Sequence, residues 1–260
     1  MIRQKIAILL PLLFTILTPV TALAQEPPQA ATPPAQPPMM FGGVEPLMSK
    51  QKEVVDLLLA NQWKEAREKA KWQLVVLAGY VDQHPGLAAT AVALEALADA
   101  GAGDRGPALC RWQLAQKIDP KLAGADLSAF GAAGELLRNS PAEPSTASAQ
   151  DGVQAPLKVG DGVTRPEILA HVFPLYTEAA RKAKVEGTVI VEAIIDRDGS
   201  IKKVTILKGQ PMGLSLSAME SVCGWRFKPA TLKGEPVKVH YVLTVNFSVQ
   251  KGSPPAISDH

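Results

Sequence analysis

Along residues 237–249, VKVHYVLTVNFSV, apolar or aromatic side chains take every odd position: Val237, Val239, Tyr241, Leu243, Val245, Phe247 and Val249. The even positions, Lys238, His240, Val242, Thr244, Asn246 and Ser248, are polar but for Val242. A period of two predicts a β-strand with one buried face and one wet face. The strand is long for a globular protein, so its second edge needs either a cover or a partner. Upstream, GTVIVEAIID (187–196) and SIKKVTILKG (200–209) predict two more strands, joined by the hairpin-turn signal Arg197-Asp198-Gly199. PLYTEAARKA (174–183) and GLSLSAMESVCGW (213–225) predict short helices. The order helix, strand, strand, helix, strand makes a small α+β domain over residues 161–250, with residues 251–260 as a tail.

Residues 45–138 carry a different pattern. They are rich in Ala, Leu, Lys and Glu, all strong helix formers. Leu58, Leu59, Trp63, Ala66 and Ala70 recur near helical spacing, and His84-Pro85 and Asp119-Pro120 break the helical runs. NQWKEAREKAKWQL and PALCRWQLAQKIDP look similar to parts of tetratricopeptide-type helical repeats. A helical hairpin domain without repeat ancestry fits the same residues. Trp63, Trp72 and Trp112 are expected in the core.

Two segments lack apolar periodicity. QEPPQAATPPAQPP opens a Pro-rich tether over 25–44, and NSPAEPSTASAQDGVQAPLKVG is a second linker over 139–160. Ahead of both, Arg3 and Lys5 precede the apolar run IAILLPLLFTILTPVTA, and Ala22-Leu23-Ala24 fits a cleavage site before Gln25. Residues 1–24 therefore read as a signal peptide, with export to the periplasm. The alternative is an uncleaved inner-membrane anchor, for which the apolar stretch is barely long enough.

Composition narrows the chemistry. The 260-residue chain has a net charge of +2 and only 5% aromatics, which argues against a nucleic-acid partner. An exported chain meets an oxidising compartment. Cys110 and Cys223 fall in different predicted domains, so they form either an inter-domain bridge or two buried thiols. No P-loop, GxSxG, HExxH or dinucleotide glycine pattern occurs, and no zinc spacing. His84, His171, His240 and His260 are scattered. The chain reads as a binding protein rather than an enzyme, with no cofactor.

One set of spacings is specific. It comprises Tyr176, Ala179-Ala180-Arg181, Val185-Glu186-Gly187-Thr188-Val189, Ile195-Asp196, Asp198-Gly199, Leu214, WRFKPA from Trp225 to Ala230, Gly234 and Pro236-Val237. This run resembles the C-terminal domain of the TonB family. Thr177, Lys184 and Ser215 depart from it, standing where the family usually has proline, glycine and aspartate. The expectation is that these are tolerable surface or cap changes.

The resemblance implies a periplasmic domain that docks on outer-membrane or other envelope proteins. A short extended peptide of the partner adds as a strand beside the last strand. The implied contact residues are Val239, His240, Tyr241, Val242, Leu243, Thr244, Val245, Asn246 and Phe247. The chain tail or a second copy of the domain are alternative covers for that edge. Arg226 and Lys228 either meet partner carboxylates or form a solvated basic rim. Trp225 and Phe227 are expected to be core anchors. A full energy transducer of the family also has a membrane helix whose histidine couples it to inner-membrane motor proteins. Residues 6–24 contain no histidine.

Overall fold

The computed structural model describes residues 45–140, 155–248 and the backbone of 256–259. The expected signal peptide, its expected Ala24/Gln25 cleavage site, the expected tether and most of the expected second linker lie outside the described residues.

The first part is helical, as the composition implies. α1 (Glu45–Leu59), α2 (Trp63–Leu77), α3 (Pro85–Gly101) and α4 (Arg105–Ile118) are joined by short turns, and α5 (Gly131–Arg138) closes the bundle. Asn61 takes a positive φ between α1 and α2, a conformation asparagine tolerates well. Pro85 starts α3 at a position where its missing N–H costs nothing. α3 is the central helix, packed by α1, α2, α4 and α5. Its alanines, Ala88, Ala89, Ala91, Ala96 and Ala98, are fully buried and let the neighbouring helices approach closely. Trp112 is buried, but Trp72 is half exposed, so the expectation of a core tryptophan fails there.

In the second part the predicted elements appear in their predicted order. They are α6 (Glu178–Lys182), β3 (Gly187–Ile195), β4 (Ile201–Lys208), α7 (Leu214–Cys223) and β8 (Val239–Phe247). Short strands surround them: β1 (Leu157–Lys158), β2 (Glu167–Ala170), β5 (Arg226–Lys228), β6 (Thr231–Leu232), β7 (Glu235–Pro236) and β9 (Ala256–Asp259). The main sheet runs β1-β8-β3-β4, with β9 also on β8. Val189, Val191, Ala193 and Ile195 of β3 bury with Val239, Tyr241, Leu243, Val245 and Phe247 of β8 beneath α6 and α7. Burial of each large side chain contributes about 1.5–3 kcal/mol.

Thr177 is a cap, one of the two alternatives expected for it, and it is fully buried. Its hydroxyl caps α6 by accepting from Ala180 N at 3.2 Å and donates to Met212 O at 2.6 Å. Ser215 does not cap α7, whose N-cap is Gly213. Its Oγ instead donates to Gln210 O and accepts from Gln210 N, both at 2.8 Å.

The two parts share an interface. Cys110 of α4 and Cys223 of α7 form a disulfide across 113 residues of sequence, the first of the two alternatives open in the sequence. Beside it, Arg111 is buried among three carboxylates. It donates to Glu220 through Nε at 2.9 Å and Nη2 at 2.6 Å, meets Glu95 at 3.2 Å, and pairs with Asp99. Arg67 reaches the other Asp99 oxygen at 2.6 Å. Three carboxylates thus face two guanidinium groups. Burial pushes Glu95 well above the ordinary carboxylate range; Arg111 opposes this, and Glu220 and Asp99 add to it. Burial also raises Asp99, against the pull of Arg111 and Arg67. Arg111 is held charged, since its carboxylates outweigh the cost of burial. A Cβ on Gly79 would stand 2.7 Å from Ala179 Cβ, and one on Gly213 only 2.0 Å from Ala78 O. The backbones meet there because neither residue has a side chain.

Candidate functional site

The site that the sequence points to is β8. On one side β3 pairs antiparallel with its whole length, from Gly187↔Phe247 to Ile195↔Val239. The other edge carries two short strands. β1 runs parallel, Leu157↔Val239 and Lys158↔His240. β9 runs antiparallel, Leu243↔Asp259, Thr244↔Ser258, Val245↔Ile257 and Asn246↔Ala256. The chain's own segments therefore lie along the edge expected to meet a partner.

The side chains alternate as the sequence pattern requires. Val239, Tyr241, Leu243, Val245 and Phe247 are buried. His240, Val242 and Asn246 are partly exposed on the opposite face, and Thr244 beside them is nearly covered. On that face His240 Nδ1 lies 3.3 Å from Glu192 Oε1 of β3, and Thr188 Oγ1 donates to Asn246 Oδ1 at 2.7 Å. Tyr176 closes the far end of the strand. Its hydroxyl donates to the Val185 carbonyl, and its ring meets Phe247 edge-on at 5.6 Å.

Arg226 and Lys228 sit on β5, which pairs with β2 outside the main sheet. Arg226 turns toward the helical part: its Nη2 is 3.8 Å from Asp104 Oδ1, and Nη1 donates to Trp225 O at 3.2 Å. Lys228 Nζ reaches Glu167 Oε1 at 3.1 Å. These partners lie on the α4 N-cap and β2, so the structure does not bring either cation to the outer edge of β8. Trp225 and Phe227 are core anchors, as expected. Trp225 Nε1 donates to Val172 O at 3.0 Å, and Phe227 stacks edge-on with Tyr241 at 6.0 Å.

The opposite edge of the sheet is shielded by α4. Gly106 abuts Ser200 at the start of β4. Farther along, Gln113, Leu114, Gln116 and Lys117 border a cavity of about 360 Å³ with Lys203 and Val204 of β4. A helix laid on a strand edge blocks pairing there. The β8 edge carries the two short strands β1 and β9 instead.

Residues 173–249 match the family model described as the Gram-negative bacterial TonB protein C-terminal. They span the aromatic anchors, the hairpin and all of β8. These residues are a TonB C-terminal domain. A TonB protein of Vibrio cholerae is 32% identical over 112 residues, covering 42% of this chain and 44% of that protein. One from Xanthomonas campestris pv. campestris is 30% identical over 77 residues, or 29% and 34% of the two chains. This chain thus spans less than half the length of the curated relatives it matches. Among the described residues, no helix is long and apolar enough to cross a membrane.

β9 belongs to the chain tail, one of the alternative covers expected for this edge, but its exact pairing was not legible. Ala256-Ile257-Ser258-Asp259 is too short for its alternation to stand out. The charge cluster did leave a signal: Glu95 and Asp99 are one helical turn apart in the otherwise apolar run AVALEALADA. Acids in so apolar a helix call for a buried cation.

Proposed function

We propose that this chain is an exported binding protein of the cell envelope. Its TonB C-terminal domain docks on an outer-membrane protein by accepting an extended segment as a new strand on the outer edge of β8. The observation that supports this is the contrast between the two edges of β8. One holds a nine-residue ladder with β3. The other holds separate strands of two and four residues, one parallel and one antiparallel. An edge that accepts strands in both directions offers main-chain hydrogen bonds to an incoming peptide. The four-residue β9 is the occupant that an incoming strand would exchange with. The function needs no catalysis and no cofactor.

The test is a photo-reactive amino acid at Val242, introduced in the native cell. Cross-links mapped to an extended segment of an outer-membrane protein are expected. Cross-links confined to this chain would overturn the reading.

A second reading is a membrane-anchored energy transducer, favoured by the name TonB carried by the relatives. It requires the apolar run of residues 6–24 to remain in the inner membrane. The intact mass and membrane partition of the native protein separate the two. A species starting at Gln25 in the soluble fraction supports the exported protein. A full-length species in the inner membrane supports the transducer.

A further inference from the structure

The edge assigned to docking already holds a strand. We propose that the chain's own segment Ala256–Asp259 is its resident occupant, and that a partner's strand enters by displacing it. This rests on the docking reading and adds the regulation and geometry of that site.

The argument begins with the ladder. Each main-chain N–H and C=O on a strand edge pairs once. β3 occupies one edge of β8 from Val239 to Phe247, so any further strand must use the other. β9 uses it at Leu243 to Asn246. A partner strand and β9 therefore exclude each other there.

Of the two occupants, β9 is the exchangeable one. β1 is tied into the fold beyond its own pairing. Leu157, Val159 and Val163 pack against the main core, and Val163 bridges both Gly160 and Leu232. Leu157 N also donates to Lys238 O at 2.8 Å. β9 is four residues long, and among the described residues its strand pairing is with β8 alone. Removing it breaks one short ladder.

The same geometry describes the partner. A strand that replaces β9 pairs with β8 along the same edge. It has room opposite positions 241–247 and then meets β1 at His240. The partner segment is thus a short extended peptide whose recognition is mainly by its backbone. The resident strand competes as an intramolecular ligand, at an effective concentration on the order of millimolar for a short link. Only a partner that gains more than β9 does will hold the edge.

The test uses the full chain, a chain ending at residue 250, and a full-length I257P/S258P double variant. Two adjacent prolines remove whichever amide faces β8. The probe is the labelled peptide KGSPPAISDH, this chain's residues 251–260. Exchange of those amides of residues 243–246 that face β9 is expected to be at least about tenfold faster in both variants, with α7 and β3 unchanged. The labelled peptide should restore protection to the shortened chain and bind the full chain at least about tenfold more weakly. The yield of Val242 cross-links to an outer-membrane protein should rise in both variants.

Equal exchange in all three chains, or equal peptide binding, overturns the proposal even if cross-links form, and docking then stands alone. If exchange and peptide binding follow the tail but no outer-membrane cross-link forms in any chain, the docking reading falls. Displacement falls with it, and the tail pairing stands.

Discussion

Buried charge and backbone strain concentrate at a few positions. Glu95 is fully buried, and its folded value lies above the ordinary 4.5. A raised acid adds stability below its unfolded value and loses that contribution as pH rises through its folded value. Glu95→Gln fixes the neutral form. Relative to the natural protein, this variant should be equally stable near pH 4.5 and progressively more stable toward pH 8. Denaturant unfolding at several pH values measures the difference, and a constant gap would refute the assignment. Lys184 is a second such position. It follows α6 with φ of 52°, while Val185 N donates to Ala180 O at 2.9 Å, so it occupies the left-handed position that ends the helix. The family's usual glycine suits that position, and Lys184→Gly should raise stability by about 1 kcal/mol. The departure was legible in the sequence. Its physical meaning was not, because the sequence does not display φ.

At the scale of elements, length decided what the sequence disclosed. β3, β4 and β8 run eight or nine residues, long enough for their buried and exposed positions to be read from the pattern. The helical part announced itself through composition and through two breaks at proline. β1, β6 and β7 have two residues each, which no periodicity can reveal. β2 presents an exposed strand with Leu169 68% accessible, so it carries no inward pattern at all. The hairpin between β3 and β4 was legible, but its tertiary contact was not. A Cβ on Gly199, at φ +77°, would stand 1.7 Å from Phe227 O, and Phe227 N donates to Gly199 O at 2.9 Å. The turn is thus bound to the WRFKPA motif. Gly199→Ala must shift that backbone as well as strain its own, at a cost of about 2–4 kcal/mol. Thermal unfolding measures it. A loss below about 0.5 kcal/mol, the range of ordinary surface substitutions, would mean the turn does not brace the motif.

Across the described residues, the helical part and the C-terminal domain are tied by contacts of different kinds. The Cys110–Cys223 disulfide is covalent. Arg111 and Glu220 form a buried ion pair across the same helices. Leu216 of α7 packs in the helical core, whereas Cys110 of α4 packs in the sheet core. The cores interlock, so α7 and α4 are held by packing as well as by the bridge. Breaking the bridge separates the covalent contribution from the packed one. Closing a loop of about 100 residues constrains the unfolded chain by about 4–5 kcal/mol in the chain-entropy picture. The C110S/C223S double variant should lose roughly 2–5 kcal/mol. It should still unfold in one transition, because the ion pair and the interlocked cores remain. Two separate transitions, read from amide exchange in α1–α4 and in β3 and β8, would show that the bridge alone joins the parts. A single transition at lower denaturant would show that the noncovalent interface makes the helical part an integral support of the C-terminal domain.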